Sequence, residues 1–191
     1  MNSPLQIFID AALINNFVLA YFLGICPFLG VSTKTETAVR MGAAVTFVML
    51  VASVCAYGIH KVLIYINAPY LHLISYIVVI AASVQLVEMI IRKYSPVLFR
   101  ALGIYLPLIT TNCAILGLAL FQTSREYNFV QCLAFALGGG AGFALALLMM
   151  SGIRERLELS DVSSVVKGAA ITLMIAGVMS IAFMGFAGMG R

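Results

Sequence analysis

Two of the four cysteines in this 191-residue chain stand in matched surroundings. The first lies in Leu23-Gly24-Ile25-Cys26-Pro27-Phe28-Leu29-Gly30 and the second in Thr110-Thr111-Asn112-Cys113-Ala114-Ile115-Leu116-Gly117, so both follow the pattern C-x-x-L-G. A lone thiol is a common small core residue. A thiol repeated in one local context, beside Gly and Pro residues that interrupt helices, points instead to a paired metal ligand. Cys55 and Cys132 lack a matched context and read as packing residues. Amide and hydroxyl groups accompany the pair: Thr110, Thr111 and Asn112 adjoin Cys113, and Asn15 and Asn16 precede Cys26 in the same apolar segment. Such donors serve either as interhelical hydrogen bonds or as partners to sulfur, where they tune a buried anionic centre.

The elements that must position these groups are membrane spans. With 63% apolar and 9% charged residues and a mean hydropathy of +1.09, the chain has too little polar surface to cover a water-soluble globule. Charges cluster between apolar runs of about 20 residues, the length at which a helix crosses the hydrocarbon layer. Six runs are predicted, near Leu5 to Val31, Ala38 to Ile59, Leu71 to Ile91, Leu98 to Phe121, Phe129 to Gly152 and Val166 to Phe186. Short connections leave no room for a soluble domain, so residues 1–191 form a single membrane domain. The N-terminal run lacks a basic leader and cleavage pattern and is expected to be a retained span. Cysteines within spans do not build a disulfide framework.

Orientation follows from basic residues. Lys34, Arg40, Arg92, Lys93, Arg100, Arg154, Arg156 and Lys167 fall on one set of connections, whereas only Lys61, Arg125 and Arg191 fall on the other side. The bias places the first, third and fifth connections in the cytoplasm and both termini outside, on the periplasmic side. The same placement argues against nucleic-acid binding for the net charge of +4.

An offset of 87 residues superposes Cys26 on Cys113, Leu29 on Leu116 and Gly30 on Gly117. Repeats of three spans each, about 5–91 and 98–187, must insert with opposite orientation, giving an all-α integral membrane fold of two inverted three-helix repeats. Pro27 with Gly24 and Gly30, and Pro107 with Gly103, predict broken first and fourth helices with both cysteines in the membrane interior. Interrupted backbone at depth is tolerated where protein, a cavity or a cofactor satisfies its polar groups.

Other features read more plainly. Glu88 is placed to pair with Arg92 at i,i+4, and Asp10 reads as an interfacial residue reaching water. Gly138, Gly139, Gly140 and Gly142 offer a small face for close helix packing. The ten methionines read as gap fillers, and His60 and His72 as solvated residues by an outer connection. Arg154, Glu155, Arg156, Glu158 and Asp161 read as a solvated, topology-setting loop, with docking of a cytoplasmic partner as the alternative. No Gly-rich, phosphate-cradling loop for a flavin or nicotinamide nucleotide occurs.

The segments Ile14–Leu19, Phe22–Ser32, Leu102–Ala114 and Gly152–Leu157 closely resemble the RnfA/NqrE family, small membrane subunits of the Rnf complex and of the sodium-pumping NADH:quinone oxidoreductase. The resemblance implies a bacterial inner-membrane, multi-pass subunit of a redox-driven ion translocase, with no complete active site in this chain alone. It implies pairing with an RnfE-like homologous subunit of opposite topology, each contributing two cysteines to a shared 2Fe-2S cluster, alongside flavin- and iron-sulfur-bearing subunits and membrane lipid. Here the matching ligands are Cys26 and Cys113, with Gly24, Gly30, Thr111 and Asn112 as surrounding hydrogen-bonding groups. The implied activity is electron relay within a ferredoxin:NAD oxidoreductase, coupled to transport of sodium ions or protons. The rival reading is a small inverted-repeat secondary transporter without a redox cofactor.

Overall fold

A computed structural model describes residues 3–66, 71–94, 108–109, 111–158 and 168–187. Among these residues the chain is helical throughout: α1 (Pro4–Ile9), a π-helical turn (Asp10–Ile14), α2 (Ile25–Val31), α3 (Thr35–Ile66), α4 (His72–Tyr94), α5 (Cys113–Ser124), α6 (Phe129–Glu158) and α7 (Ala169–Ala187). Two of them, over Thr35–Ile66 and Phe129–Leu157, are long and apolar enough to cross a bilayer by length and composition. The predicted spans overlie α3, α4, α6 and α7 with ends displaced by a few residues. The fourth span is described from Leu108 onward, so its expected break at Gly103 and Pro107 lies outside the described residues.

The first span is broken, as predicted, but by a different device. Ser3 caps α1 by accepting a hydrogen bond from the Gln6 amide at 3.3 Å, and Pro4 occupies the first turn, where a missing N–H costs nothing. The helix then widens, with the Asn15 N–H donating to the Asp10 carbonyl at 2.7 Å, and gives way to turns over 15–24. Pro27, expected to break the span, sits in the first turn of α2 and helps to start it. Gly24 is the residue that permits the restart, because it precedes α2 in the left-handed region with φ +83°. Gly30, expected to flank the break, lies inside α2.

The long helices α3 and α6 form the spine. On α3 the buried positions Ala38, Met41, Gly42, Val45, Val48, Met49, Ala52 and Ala56 recur every three or four residues and define one face. Small residues let the opposing backbones approach: a Cβ on Gly42 would stand 2.8 Å from the Ala144 Cβ, and one on Gly140 2.6 Å from the Thr46 side chain. The predicted small face of α6 continues onto the first span. Cβ atoms on Gly138 and Gly142 would lie 2.5 Å from the Phe8 carbonyl oxygen and 2.7 Å from that of Ala12. Large apolar side chains meanwhile stay exposed along α4 (Ile74, Val78, Leu86, Met89) and α7 (Met174, Val178, Ile181, Met184). Exposure on this scale suits hydrocarbon and is unfavourable in water.

The Gly142 contact is with backbone and cannot relax by a rotamer change. Gly142→Leu is expected to destabilise the fold by about 1 to 3 kcal/mol. Gly152→Leu, on the same helix but with no atom within 4 Å of its added Cβ, is expected to be neutral. Thermal unfolding in detergent measures both, and equal melting points would refute the close approach.

Candidate metal centre

The two matched cysteines open the two short helices. Cys26 lies in the first turn of α2, and Cys113 is the first residue of α5, capped by Asn112, whose Oδ1 accepts from the Ala114 amide at 3.0 Å. The helix starts abut. The Gly24 N–H donates to Cys113 Sγ at 2.9 Å, and a Cβ on Gly24 would stand 3.2 Å from Asn112 Oδ1 and 3.3 Å from the Ala114 Cβ. One thiol is thus held by the amide two residues before the other. Both cysteines are exposed on the surface of this chain.

From this meeting point α2 and α5 run apart. The far end of α2 is held by Arg154 at the C-terminal end of α6, whereas α5 ends where α6 begins. Between them, Gly24 faces the Phe143 ring, 2.7 Å from where its Cβ would be, at the mid-length of α6. The thiols therefore sit level with the middle of α6. Positive helix ends converge there, an environment that favours an anionic ligand set.

The broken segment is held by its own amides. Asn16, 1% exposed, donates from Nδ2 to the carbonyls of Gly142 at 2.8 Å and Ala12 at 3.2 Å, and its Oδ1 accepts from the Val18 and Leu19 amides. Ser180 on α7 donates to the Leu19 carbonyl at 2.7 Å, and the Leu23 N–H donates to the Phe17 carbonyl. Asn15 donates to Asp10 Oδ1 at 2.8 Å, while Asp10 Oδ2 lies 3.5 Å from Arg125. Asp10, expected to reach water, keeps part of its side chain exposed and also forms the centre of a polar link between the first span and the α5–α6 turn. Arg125 also donates to the Tyr127 hydroxyl at 3.0 Å, a bond that raises its proton affinity against the opposing effect of burial, with Asp10 adding to the rise.

The surrounding groups differ in what they do. Asn112 Nδ2 is buried and has no hydrogen-bond partner among the described residues, a costly state for an amide. Thr111 is exposed on the turn before it. Gly30 is exposed one turn beyond Cys26, on the same face of α2, with the Leu108 side chain 3.7 Å from where a Cβ would be. Thr110 lies outside the described residues. Cys132 is buried with its Sγ 3.5 Å from the Tyr127 carbonyl, and Cys55 accepts from Ser83, so both behave as packing residues. His60, expected to be solvated, is half-buried in a cavity with Tyr57, Lys61, Gln122 and Asn128. The side chains of His72, Arg92 and Glu158, and all of Asp161, lie outside the described residues, and the expected Glu88–Arg92 pair lies outside them too.

The charge cluster is a clasp and not merely a solvated loop. Arg154 is half-buried and donates to the Leu29 carbonyl at 3.0 Å and Ser32 Oγ at 2.8 Å, while Glu155 accepts from the Thr35 amide that opens α3 at 2.8 Å. Sequence reasoning also missed Ser53 and Gln122. Ser53 donates to Gln122 Oε1 and the Cys132 carbonyl, and Gln122 Nε2 returns a bond to the Ser53 carbonyl, tying α3, α5 and α6 together. A buried Gln in an apolar run was the available signal.

The donor set fits half of an iron-sulfur site. Two exposed thiols share one junction, an amide already donates to one sulfur, and among the described residues no group of three or more His, Cys, Asp or Glu could hold a metal.

A family model described as "Rnf-Nqr subunit, membrane protein" matches residues 4–190. A protein of Syntrophotalea carbinolica, named as part of an ion-translocating oxidoreductase complex, is 57% identical over 190 residues, covering 99% of this chain and 98% of that protein. One from Acetobacterium woodii, named as part of a Na(+)-translocating ferredoxin:NAD(+) oxidoreductase complex, is 55% identical over 184 residues, 96% of each. A Vibrio cholerae relative, again named for an ion-translocating oxidoreductase complex, is 50% identical over 190 residues, 99% of this chain and 98% of its own.

Gly24 meets two constraints, a left-handed backbone and the Phe143 ring. Gly24→Ala is expected to cost about 1 to 3 kcal/mol. Phe143→Leu in the same chain should recover the steric part alone. Melting points of the two single variants and the double variant test this, and additive losses would show that Gly24 and Phe143 do not meet.

Proposed function

This chain belongs to the Rnf-Nqr family of membrane subunits, and from that premise we propose that it relays electrons through an intramembrane 2Fe-2S cluster held by Cys26, Cys113 and a homologous subunit. It is a membrane subunit of an ion-translocating oxidoreductase complex, the assembly for which its relatives are named. The solute-transporter reading finds no support among them.

One observation carries the cluster proposal: two exposed thiols open two helices at a shared junction, with the Gly24 N–H aimed at Cys113 Sγ. N–H donors to sulfur are among the contacts by which proteins surround the cysteine ligands of iron-sulfur clusters. When bound, a 2Fe-2S cluster supplies one-electron chemistry. This chain's own residues shape its half of the site. The converging starts of α2 and α5 stabilise negative charge, Asn112 holds the first turn of α5 around Cys113, and apolar packing by Leu23, Phe143 and Ala114 keeps water from the buried side.

The partner follows from ligand count. Two thiols leave a cluster half-coordinated, and thiols exposed on an outer face are open to a second chain. An RnfE-like homologue of opposite topology supplies the complementary pair, in a bacterial inner membrane with both termini of this chain on the periplasmic side. The six spans form two inverted repeats, a reading supported by the opposed directions of α2 and α5 and by the shared C-x-x-L-G pattern. At a rise of about 1.5 Å per residue, α2 and α5 end to end span about 28 Å, close to one hydrocarbon layer. A cluster held at this junction would offer a one-electron stop between carriers on the two sides of the membrane, in a complex that couples such transfer to movement of sodium ions or protons.

In the intact complex, Cys26→Ser and Cys113→Ser are each expected to abolish one 2Fe-2S signal in electron paramagnetic resonance, while Cys55→Ser and Cys132→Ser leave it intact. The reverse pattern, or no change in any variant, would overturn the ligand assignment.

A further inference from the structure

Arg154 stands outside the ligand set, yet it touches the helix on which that set depends. The α2 helix has seven residues, too few to persist without tertiary support. Its first turn carries Cys26, and the preceding Gly24 supplies the N–H that holds Cys113 Sγ. A shift of α2 therefore moves one thiol and releases the other.

The last carbonyls of any helix lack intrahelical partners and carry its negative pole. On α2 the Leu29 carbonyl accepts from Arg154 Nη1 at 3.0 Å, and the capping residue Ser32, 0% exposed, accepts from the same nitrogen at 2.8 Å. A half-buried guanidinium in an apolar fold is costly unless its environment repays it, and these acceptors at a negative helix end do so. The adjacent Glu155 fixes the first amide of α3 at 2.8 Å, so the end of α6 grips α2 and α3 together.

We propose that Arg154 is a positioning residue for the metal centre, setting through α2 the placement of Cys26 and the Gly24 hydrogen bond to Cys113. The proposal rests on the cluster reading above. It makes the cytoplasmic end of α6 a determinant of the cluster's reduction potential, although that end lies half the length of α6 from the Gly24–Phe143 contact.

The test compares Arg154→Gln, Arg154→Lys, Ser32→Ala and Arg156→Gln in the intact complex. Arg156 is the exposed neighbour in the same charge cluster. Two readouts apply: an EPR-monitored redox titration of the cluster, and alkylation of Cys26 and Cys113 by a maleimide after iron is removed with a chelator. Arg154→Gln is expected to shift the potential or lower the signal, and to make Cys113 alkylation several-fold faster as Gly24 withdraws. Lysine should restore much of both, Ser32→Ala should shift both in the same direction by less, and Arg156→Gln should match the parent. If Arg154→Gln does not assemble, Ser32→Ala, which keeps the charge, decides. Parent-like values of both readouts in Arg154→Gln, or in Ser32→Ala where that variant decides, would overturn the proposal, as would equal effects in Arg156→Gln. A parent complex with no cluster signal would refute the cluster reading instead, and the alkylation rates would still decide whether Arg154 positions the thiols.

Discussion

A helix interrupted inside an apolar fold leaves backbone groups that no water can satisfy, and the arrangement of this protein answers that constraint. Residues 15–24 leave the helix, and Asn16 closes much of the deficit by donating to Gly142 and Ala12 and accepting from Val18 and Leu19. Its bond to the Gly142 carbonyl requires the first span to lie close against α6, which is why Gly138 and Gly142 can carry no side chain. The break also gives the chain a second helix start within the membrane, and Cys26 is placed at that start.

The same logic joins the two halves. Helix starts carry unsatisfied amides and partial positive charge, so bringing those of α2 and α5 together is unfavourable unless an acceptor lies between them. Cys113 Sγ accepts one amide, while the Asn112 side chain keeps a buried amide without a partner among the described residues. The junction is thus polar and positively biased. On the proposed reading an anionic cluster occupies this junction, and a chain that contributes only two thiols then needs a second chain to complete the coordination.

Much of this was legible in the sequence. Hydropathy located the helices α3, α4, α6 and α7, because long apolar runs are the plainest signal a sequence carries. The matched C-x-x-L-G patterns located the junction. Less legible was the mechanism of the break: Pro27 drew attention as a breaker, while the work falls to Gly24, Asn16 and a π-helical turn, whose effects depend on partners distant in sequence such as Gly142 and Phe143. Arg154 and Asp10 read as surface charges for the same reason. Their partners include Leu29 and Arg125 respectively, which belong to segments whose proximity arises only on folding.

The central claim is that this chain holds half of a cluster site, complete only when an inverted homologue covers the exposed thiols. Iron and acid-labile sulfide measured in the chain expressed alone, and in the chain co-purified with that homologue, test it directly. The account predicts neither element in the chain alone and the content of one 2Fe-2S cluster per pair. Iron and sulfide retained by the chain alone, or absent from the pair, would contradict it.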